Sequence, residues 1–304
     1  MMAMRVPFTK MHGTGNDFVV LNETQIRYDL QAKDYRFLAD RHFGVGADQI
    51  LSVRSSHEPG IDFEYLIHNA DGSEVEHCGN GARCFLRFVR QEGLSQKSPL
   101  VVKVKKGVIE LSDTKEGYVS VHMGPPVFDA PQIPFDPQHS KLLESVDGFQ
   151  IRRIDLDGLQ LKDALLEHFD FTTLSMGNPH AVCVVQDVDS LMLEALGPWI
   201  EHHPSFPQRV NVGFMQIVSR QAIKLRVFER GSGETLACGT GACAAVVSGI
   251  VRGLLDPHVT VQARGGLLEI DWHGSFHAAT PGAASDVVLT GPAVTVFKGE
   301  VDIQ

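Results

Sequence analysis

Two short stretches of the sequence are closely similar, Cys78-Gly79-Asn80-Gly81-Ala82 and Cys238-Gly239-Thr240-Gly241-Ala242. Each sets a cysteine and a glycine before a predicted helix, which begins at Asn80 in the first stretch and at Thr240 in the second. Each helix is expected to stop at a glycine, Gly93 or Gly253, the same distance after its cysteine (93 − 78 and 253 − 238 both equal 15). The second helix is apolar on all sides, which predicts that it is buried all round. Two such helices indicate that one structural unit occurs twice in the chain.

Two further pairs of stretches support this duplication. Gly15–Val20 resembles Gly177–Val182, and Val45–Ile50 resembles Val212–Ile217. The three pairs follow one another in the same order, at offsets of 162 (178 − 16), 167 (212 − 45) and 160 (238 − 78) residues. A period of this length is far too long for a solenoid repeat. The sequence therefore predicts two copies of one domain.

The remaining elements are mostly strands. Short β-rich runs bounded by Gly, Pro or Asp are predicted at Phe18–Leu21, Val101–Val104, Tyr118–His122, Ala181–Val185, Lys224–Phe228, Val259–Val261, Leu267–Asp271 and Val294–Phe297. Two amphipathic helices are predicted at Tyr35–Arg41 and Ser190–His202. We expect an α+β fold of two pseudo-symmetric lobes, each a β-rich sheet around one central helix.

The lobes are expected to divide the chain near its middle. Residues 1–123 would form the N-terminal lobe with Cys78, and a strand over residues 293–304 would return to it. Residues 124–292 would form the C-terminal lobe with Cys238. The proline-rich start of the segment 125–167 is predicted to connect the lobes, and the rest to form peripheral strands or an insertion.

Composition narrows the class of protein. The chain has 304 residues and a net charge of −10, which argues against nucleic-acid or membrane-surface binding. We find no apolar run typical of a signal peptide or a membrane span. Five cysteines, an odd number, suit free thiols in a reducing cytoplasm better than a disulfide framework. We expect a soluble cytoplasmic enzyme that acts on a small molecule.

A cysteine at a helix start has a specific chemistry. Unsatisfied N–H groups at a helix N-terminus bind anions, and the helix dipole lowers the pKa of a nearby thiol. If both helix starts held one substrate carboxylate, a thiol would stand on each face of the α-carbon. One sulfur could then remove the α-proton while the other returns a proton, as a racemase without a cofactor requires. We therefore expect Cys78 and Cys238 to be the acid/base pair.

Other interpretations of the same residues are weaker. Three cysteines fall in apolar patterns and are interpreted as small buried hydrophobic residues: Cys84, Cys183 and Cys243. A metal site at His68, His77 and Cys78 lacks a matching second cluster, so no metal is expected. The Gly-x-Gly stretches do not complete a dinucleotide-binding motif. Asn16 and Asn178 stand beside glycines and, taken alone, are typical of turns.

Motifs along nearly the whole chain together resemble the diaminopimelate epimerase family. They lie at Met11–Phe18, Gly44–Gln49, Asn69–Glu74, Cys78–Cys84, Gly177–His180, Asn211–Gly213, Glu229–Gly231, Gly233–Thr235 and Cys238–Gly241. The resemblance implies two lobes, each a β-barrel-like sheet around a central helix, with the substrate between them. It also implies cofactor-independent interconversion of LL- and meso-diaminopimelate, a precursor of lysine and peptidoglycan, and is compatible with a homodimer. The segment around residues 137–166 is longer than the family pattern.

The resemblance also assigns roles to individual residues. It makes Cys78 and Cys238 the two bases, with His180 and Glu229 orienting or tuning the thiols. The reacting carboxylate would be held by backbone at Gly79, Asn80, Gly239 and Thr240. The other polar groups of the substrate would be bound by Asn16, Gln49, Asn69, Asn178, Asn211, Glu229 and Arg230. Arg230 is the natural partner of the distal carboxylate.

Three alternatives stay open at this point. A proline or hydroxyproline racemase would share the fold and the thiol pair. A phenazine-biosynthesis-type isomerase would share the fold but lack the thiol pair. From a different class, the chain could be a non-catalytic amino-acid-binding relative. Arg230 favours a substrate with a second charged end, and two thiols favour catalysis over binding alone.

Overall fold

A computed structural model describes residues 4–75, 78–105, 107–156, 159, 166–276 and 286–304. The chain forms two compact units. Unit 1 comprises Met1–His122 and Thr290–Gln304, and unit 2 comprises Met123–Leu289. Among the described residues, no helix is both long and apolar enough to cross a membrane.

Unit 1 is a sheet with two helices. Its elements are β1 (Met4–Gly13), β2 (Asn16–Asn22), α1 (Ala32–Ala39), β3 (Gln49–Ser55), β4 (Phe63–Asn69), α2 (Gly79–Gln91), β5 (Leu100–Val104), β6 (Gly107–Asp113), β7 (Val119–His122) and the last strand of the chain, β18 (Val294–Ile303). The strands pair in the order β18-β1-β2-β3-β4-β5-β6-β7. The pairs β2–β3 and β4–β5 are parallel, and the others are antiparallel.

A tight hairpin fixes the beginning of β2. Gly13 pairs with Asn16, so only Thr14 and Gly15 form the loop. Both have positive φ angles, 51° and 89°. Two consecutive positive φ values match the right-handed twist of a two-residue hairpin, and glycine accepts this conformation without strain. The hairpin makes Asn16 the first residue of β2.

Unit 2 repeats this plan with additional strands. Its elements are β8 (Lys141–Val146), β9 (Phe149–Asp155), β10 (His168–Ser175), β11 (Pro179–Val185), α3 (Leu193–Glu201), β12 (Asn211–Ser219), β13 (Ala222–Glu229), β14 (Gly233–Thr235), α4 (Gly239–Val251), β15 (His258–Ala263) and β16 (Gly266–Asp271), and β17 (Val288–Gly291) begins within it. The order β9-β10-β11-β12-β13-β15-β16 has parallel pairs at β11–β12 and β13–β15. Along these strands, parallel and antiparallel pairs follow one another as they do from β18 to β6 in unit 1.

One helix is central to each unit. Helix α2 packs against β1, β2, β3, β6 and β7, and α4 packs against β10, β11, β12, β13 and β16. Both helices have 13 residues, follow a cysteine and end before a glycine with positive φ. Every residue of α4 from Gly241 to Gly249 is buried, as its uniform apolarity predicts. The expected α+β architecture of two related lobes, each a sheet around a helix, is confirmed.

The strand ladders correct one part of the proposed duplication. The parallel ladders pair Phe18 with Gln49 in unit 1 and His180 with Asn211 in unit 2, so Gln49 corresponds to Asn211. The alignment of Val45–Ile50 with Val212–Ile217 is wrong by five residues, since it matches Gln49 with Gln216. The similarity is accidental, because Val45 to Asp48 form a loop whereas Val212–Ile217 lies inside β12.

The same ladders relate two further site positions. Gln49 pairs with Asn69 across β3 and β4. Val212 pairs with Phe228 across β12 and β13, and Glu229 follows Phe228. Asn69 and Glu229 therefore hold corresponding positions, at the same offset as the two cysteines (229 − 69 and 238 − 78 both equal 160).

The segment after Pro125 contains the peripheral strands that the sequence predicted. Short 3₁₀ turns at Ala130–Gln132 and Pro137–His139 precede the hairpin of β8 and β9. Strand β9 pairs with β10, whereas β8 is exposed along nearly its whole length. Residues 157, 158 and 160–165, which belong to the segment expected to be longer than usual, lie outside the described residues.

Candidate functional site

Cys78 and Cys238 occupy the same local position in the two units. Each is the N-cap of its helix, in extended conformation, and each carbonyl accepts the first helical hydrogen bond, from Ala82 or Ala242. The helices start at Gly79 and Gly239, one residue earlier than predicted. Cys78 is partly exposed, whereas Cys238 is only 5% exposed. Each thiol thus lies beside first-turn N–H groups that have no intrahelical acceptor.

The thiol of Cys78 faces an asparagine. Its Sγ donates to Oδ1 of Asn16 at 3.5 Å, and Asn80 Nδ2 donates to the same oxygen at 3.3 Å. Asn16, Cys78 and Asn80 therefore form one cluster, although they come from β2, the N-cap and the first turn of α2. The structure thus brings together three of the residues predicted for the site.

Tyr65 supports this helix start and was missed in the sequence. Its hydroxyl donates to the carbonyl oxygen of Cys78 at 3.3 Å. A Cβ at Gly81 would lie 2.3 Å from that hydroxyl, so glycine is needed for the close approach. Burial, followed by the nearby Cys78 and Cys84, raises the pKa of Tyr65 well above its usual value. Tyr65 is an isolated tyrosine in an ordinary strand pattern, so no sequence signal distinguished it.

A chain of hydrogen bonds reaches Cys238 in unit 2. His180 Nε2 lies 3.0 Å from Oδ1 of Asn178, whose Nδ2 donates to Thr240 Oγ1 at 3.3 Å. Thr240 Oγ1 lies 3.5 Å from Cys238 Sγ. The amide oxygen of Asn178 only accepts hydrogen bonds, so His180 must donate through Nε2 and carries its proton there. The amide nitrogen of Asn178 only donates, so the Thr240 hydroxyl is available to donate to the sulfur.

His180 is neutral in this chain. It is 1% exposed, and burial, followed by the positive charge of Arg230, lowers its pKa to about 3. A neutral imidazole can donate to Asn178 without adding a second positive charge to that of Arg230. This arrangement is compatible with the thiol-orienting role expected for His180. That role stays a prediction.

The expectation of a lowered thiol pKa is wrong for Cys238. Burial, followed by the carboxylate of Glu229, raises its pKa well above the usual value. Hydrogen bonds from Thr240 and from the Gly241 N–H lower this pKa, but by less than burial and Glu229 raise it. The reason is that desolvation of an ionised sulfur outweighs the helix terminus when no substrate charge is nearby. Ligand-free Cys238 is therefore a thiol at neutral pH.

The other predicted polar residues form two smaller groups. Gln49 Nε2 donates to Asn69 Oδ1 at 2.9 Å in unit 1. In unit 2, Asn211 Nδ2 donates to the Pro179 carbonyl at 2.8 Å, and Asn211 Oδ1 accepts from the Arg230 N–H at 3.0 Å. Asn211 is thus a buried link between the start of β11 and the Arg230 loop.

Glu229 and Arg230 point to different tasks. Glu229 accepts from the hydroxyl of Thr235 at 2.6 Å and lies close enough to Cys238 to accept from its thiol. The exposed guanidinium of Arg230 donates to the Gln208 carbonyl at 3.3 Å. No carboxylate among the described residues forms an ion pair with Arg230. Its charge is therefore available to an anionic ligand.

The remaining cysteines lie in the core, as expected. Cys84, Cys183 and Cys243 are at most 1% exposed. Burial raises the pKa of both Cys84 and Cys183 to about 12. His77, which was considered for a metal site, lies outside the described residues.

Solved structures with similar coordinates define the class of fold. A hydroxyproline epimerase from Agrobacterium vitis matches 99% of this chain and 92% of its own, with a TM-score of 0.69 at 15% identity. A phenazine biosynthesis protein of the PhzF family from Bacillus anthracis matches 98% and 99%, with a TM-score of 0.68 at 16% identity. The chain therefore has the same fold as this epimerase and this phenazine biosynthesis protein.

Sequence comparison gives the family. The family model of diaminopimelate epimerase matches residues 8–128 and 172–296. A diaminopimelate epimerase from Albidiferax ferrireducens is 57% identical over 307 aligned residues, covering 99% of both chains. Another from Acidovorax ebreus is 55% identical over 300 residues, again covering 99% of both. The chain belongs to the diaminopimelate epimerase family, and the predicted family is confirmed.

Proposed function

We propose that this chain interconverts LL- and meso-diaminopimelate by proton exchange at one α-carbon, with Cys78 and Cys238 as the two acid/base groups. Relatives that share more than half of its residues over nearly the whole chain are named for this activity. The observation that carries the mechanism is the repeated thiol, because both units cap a central 13-residue helix with a cysteine.

The chemistry explains why two equivalent thiols are useful. Epimerisation removes a proton from one face of the α-carbon and adds a proton to the other. Each unit supplies one sulfur, so the same pair can run the reaction in either direction by exchanging roles. Neither thiol needs a cofactor for this task if the developing carbanion is stabilised by fixed donors.

Helix N-termini supply such donors. The first-turn N–H groups at Gly79 and Asn80, and at Gly239 and Thr240, suit the reacting carboxylate. A helix dipole stabilises negative charge that moves from the α-carbon into a carboxylate at its N-terminus. The glycines allow an anion to approach the backbone closely.

The partners of Cys238 suit a group that alternates between thiol and thiolate. Burial and Glu229 favour the thiol, whereas Thr240 and the Gly241 N–H stabilise a thiolate once it forms. A bound substrate adds an ammonium group, and a nearby positive charge lowers a thiol pKa. The sulfur would therefore ionise when substrate is present rather than in the ligand-free protein.

The remaining polar side chains would fix the substrate. Arg230 can bind the distal carboxylate through two parallel hydrogen bonds, a geometry that proline-like substrates cannot use. The other polar groups would be bound by Asn16, Gln49, Asn69, Asn178, Asn211 and Glu229. His180 would orient Asn178 and, through Thr240, the sulfur of Cys238.

Assembly and location are part of the proposal. Three exposed apolar side chains of β18, Val294, Val296 and Phe297, offer a surface for a second copy of the chain. The cytoplasm would keep the required thiols reduced. Light scattering after size exclusion would give the mass of a homodimer; a monomer at working concentration would contradict this part.

Single replacements test the mechanism. Cys78→Ala and Cys238→Ala should each abolish epimerisation in both directions while the protein still binds diaminopimelate, as measured by calorimetry. Cys243→Ala is the matched control, because it removes a buried helical thiol outside the proposed pair. Turnover near the wild-type rate in either of the first two variants would overturn the two-base mechanism.

A further inference from the structure

Four charged side chains form a cluster at the beginning of β2 and β3. Lys10 Nζ donates to Asp17 at 2.6 Å, and Arg41 donates to Asp17 at 2.8 and 3.0 Å. Arg41 also donates to Asp48 Oδ1 at 2.8 Å. Burial raises the pKa of Asp17, but the hydrogen bonds of Arg41 and Lys10 outweigh it and hold the pKa well below its usual range. Asp17 is therefore ionised at neutral pH.

The two carboxylates of this cluster also bind each other's backbone. The Asp48 N–H donates to Asp17 Oδ1 at 2.8 Å, and the Asp17 N–H donates to Asp48 Oδ2 at 3.1 Å. This reciprocal pair holds the residue before Phe18 against the residue before Gln49. Asp48 is thereby fixed in place although it lies in an exposed loop.

Asp48 in turn fixes the amide of Asn16. Asn16 Nδ2 donates to Asp48 Oδ2 at 2.9 Å. An ionised carboxylate only accepts hydrogen bonds, so the amide nitrogen must face Asp48 and the amide oxygen must face away. That oxygen is the atom that accepts from Cys78 Sγ and Asn80 Nδ2.

Unit 2 orients its corresponding asparagine by other means. The strand ladders place Pro179 and Val210 at the positions of Asp17 and Asp48. Neither of their side chains carries an acceptor for an amide nitrogen. Asn178 instead presents its nitrogen to Thr240 and its oxygen to His180. The two related asparagines therefore turn opposite ends toward the thiol side.

We infer that Asp48 is a positioning residue for Cys78, which acts by locking the carbonyl oxygen of Asn16 toward the thiol. A carbonyl that accepts from the S–H group favours the thiol over the thiolate. Asp48 would thus hold Cys78 ready as a proton donor in the ligand-free protein. This inference rests on the proposed role of Cys78 and gives Asp48 a task in unit 1 that matches the expected task of His180 in unit 2.

The test measures the thiol itself rather than turnover. Iodoacetamide is applied to the ligand-free protein across a pH series, and mass spectrometry follows carbamidomethylation of the Cys78 peptide. Among the described residues, Tyr65 of β4 and Cys84 of α2 interact electrostatically with this thiol. Both are left unchanged. The variants are Asp48→Ala, Asp48→Glu, Asn16→Ala and the Asp48→Ala/Asn16→Ala double variant.

Asp48→Ala should lower the midpoint of the alkylation curve by about one pH unit, because Asn16 can then turn its amide nitrogen to the sulfur. Asp48→Glu, which keeps an acceptor-only group, should stay near the wild-type midpoint. The double variant distinguishes an effect on the orientation of the Asn16 amide from an effect of the lost negative charge of Asp48. If Asp48 acts through Asn16, Asp48→Ala has no effect in the Asn16→Ala background.

An unchanged midpoint in Asp48→Ala would overturn the inference. So would an equal shift in both backgrounds, since that result would show only the loss of a negative charge. Thermal melts establish that each variant is folded, and Asp48→Leu, which has the branching of aspartate but no acceptor, replaces Asp48→Ala if the latter is not. Alkylation needs no substrate, so the test of Asp48 is independent of the proposed function. The predicted shift can be absent although the wild-type protein epimerises diaminopimelate, and it can be present although the protein does not.

Discussion

Replacing Thr240 by valine should change the pH dependence of the reaction. Valine keeps the shape of the side chain but removes the hydroxyl that lies 3.5 Å from Cys238 Sγ and accepts from Asn178. The sulfur then loses one of the two donors that lower its pKa, while burial and Glu229 continue to raise it. The variant therefore isolates the last hydrogen bond of the chain that begins at His180.

The size of the effect follows from the kind of bond. A hydrogen bond to an ionised group contributes about 1.5–3 kcal/mol. Since 1.36 kcal/mol corresponds to one pKa unit, the pKa of Cys238 should rise by about one to two units. At neutral pH the thiolate is the minor form, so kcat/KM should fall by about 10- to 100-fold. The fall must be equal in both directions, because the enzyme cannot change the equilibrium between the two stereoisomers.

The assay is kcat/KM for LL- and meso-diaminopimelate from pH 6 to 10. A higher thiol pKa moves the acid limb of the profile, where the thiolate is lost, to higher pH. Thr240→Ser is the matched control, because it keeps the hydroxyl and should retain the wild-type limb. If Thr240→Val shows the wild-type limb, or if Thr240→Ser loses activity equally, the hydroxyl does not tune Cys238.

Three other perturbations have defined outcomes. Arg230→Lys should raise KM for diaminopimelate about 10-fold or more with less change in kcat, because a point charge does not replace a bidentate contact; an unchanged KM would place the distal carboxylate elsewhere. The pKa of His180 is lowered to about 3, so the stability it contributes is present above pH 6.5 and is lost as the pH falls. Between pH 6.5 and 4, the free energy of unfolding should therefore fall by about 3 kcal/mol less in His180→Phe than in the wild-type protein, as measured by urea titration. An equal fall in both proteins would contradict the assignment. The pKa of Cys183 is raised to about 12, so its contribution is present below pH 9 and is lost as the pH rises. Cys183→Val should make the melting temperature fall less steeply above pH 9, and a slope identical to wild type would refute this reasoning.

The sequence alone predicted those elements whose sequence signal lies within one short segment. Both central helices were predicted within one residue of their starts, since a glycine-rich start, an apolar body and a terminal glycine all lie within one segment. The same local signal led to the prediction that Cys78 and Cys238 are the acid/base pair, which stays a prediction. The strand at Phe18–Leu21 was predicted because a β-rich run follows turn residues.

Long-range pairing was harder to predict. The correspondence of Gln49 with Asn211 depends on which residues meet across parallel strands, and a similar short string five residues away was more conspicuous. Tyr65 reaches the Cys78 carbonyl only because β4 passes behind the helix start. The raised pKa of Cys238 depends on burial, which a helix N-terminus seen in sequence does not reveal.

The central claim is proton exchange by two thiols, and hydrogen exchange tests it most directly. Pure protein is incubated with LL-diaminopimelate in D₂O without added cofactor, and NMR follows the α-proton. We predict that the α-proton signal is lost while meso-diaminopimelate with deuterium at the inverted centre accumulates, and that L-proline shows no exchange. The Cys78→Ala/Cys238→Ala double variant should show no exchange. Absence of exchange in the wild-type protein, or exchange that persists in the double variant, would contradict the account.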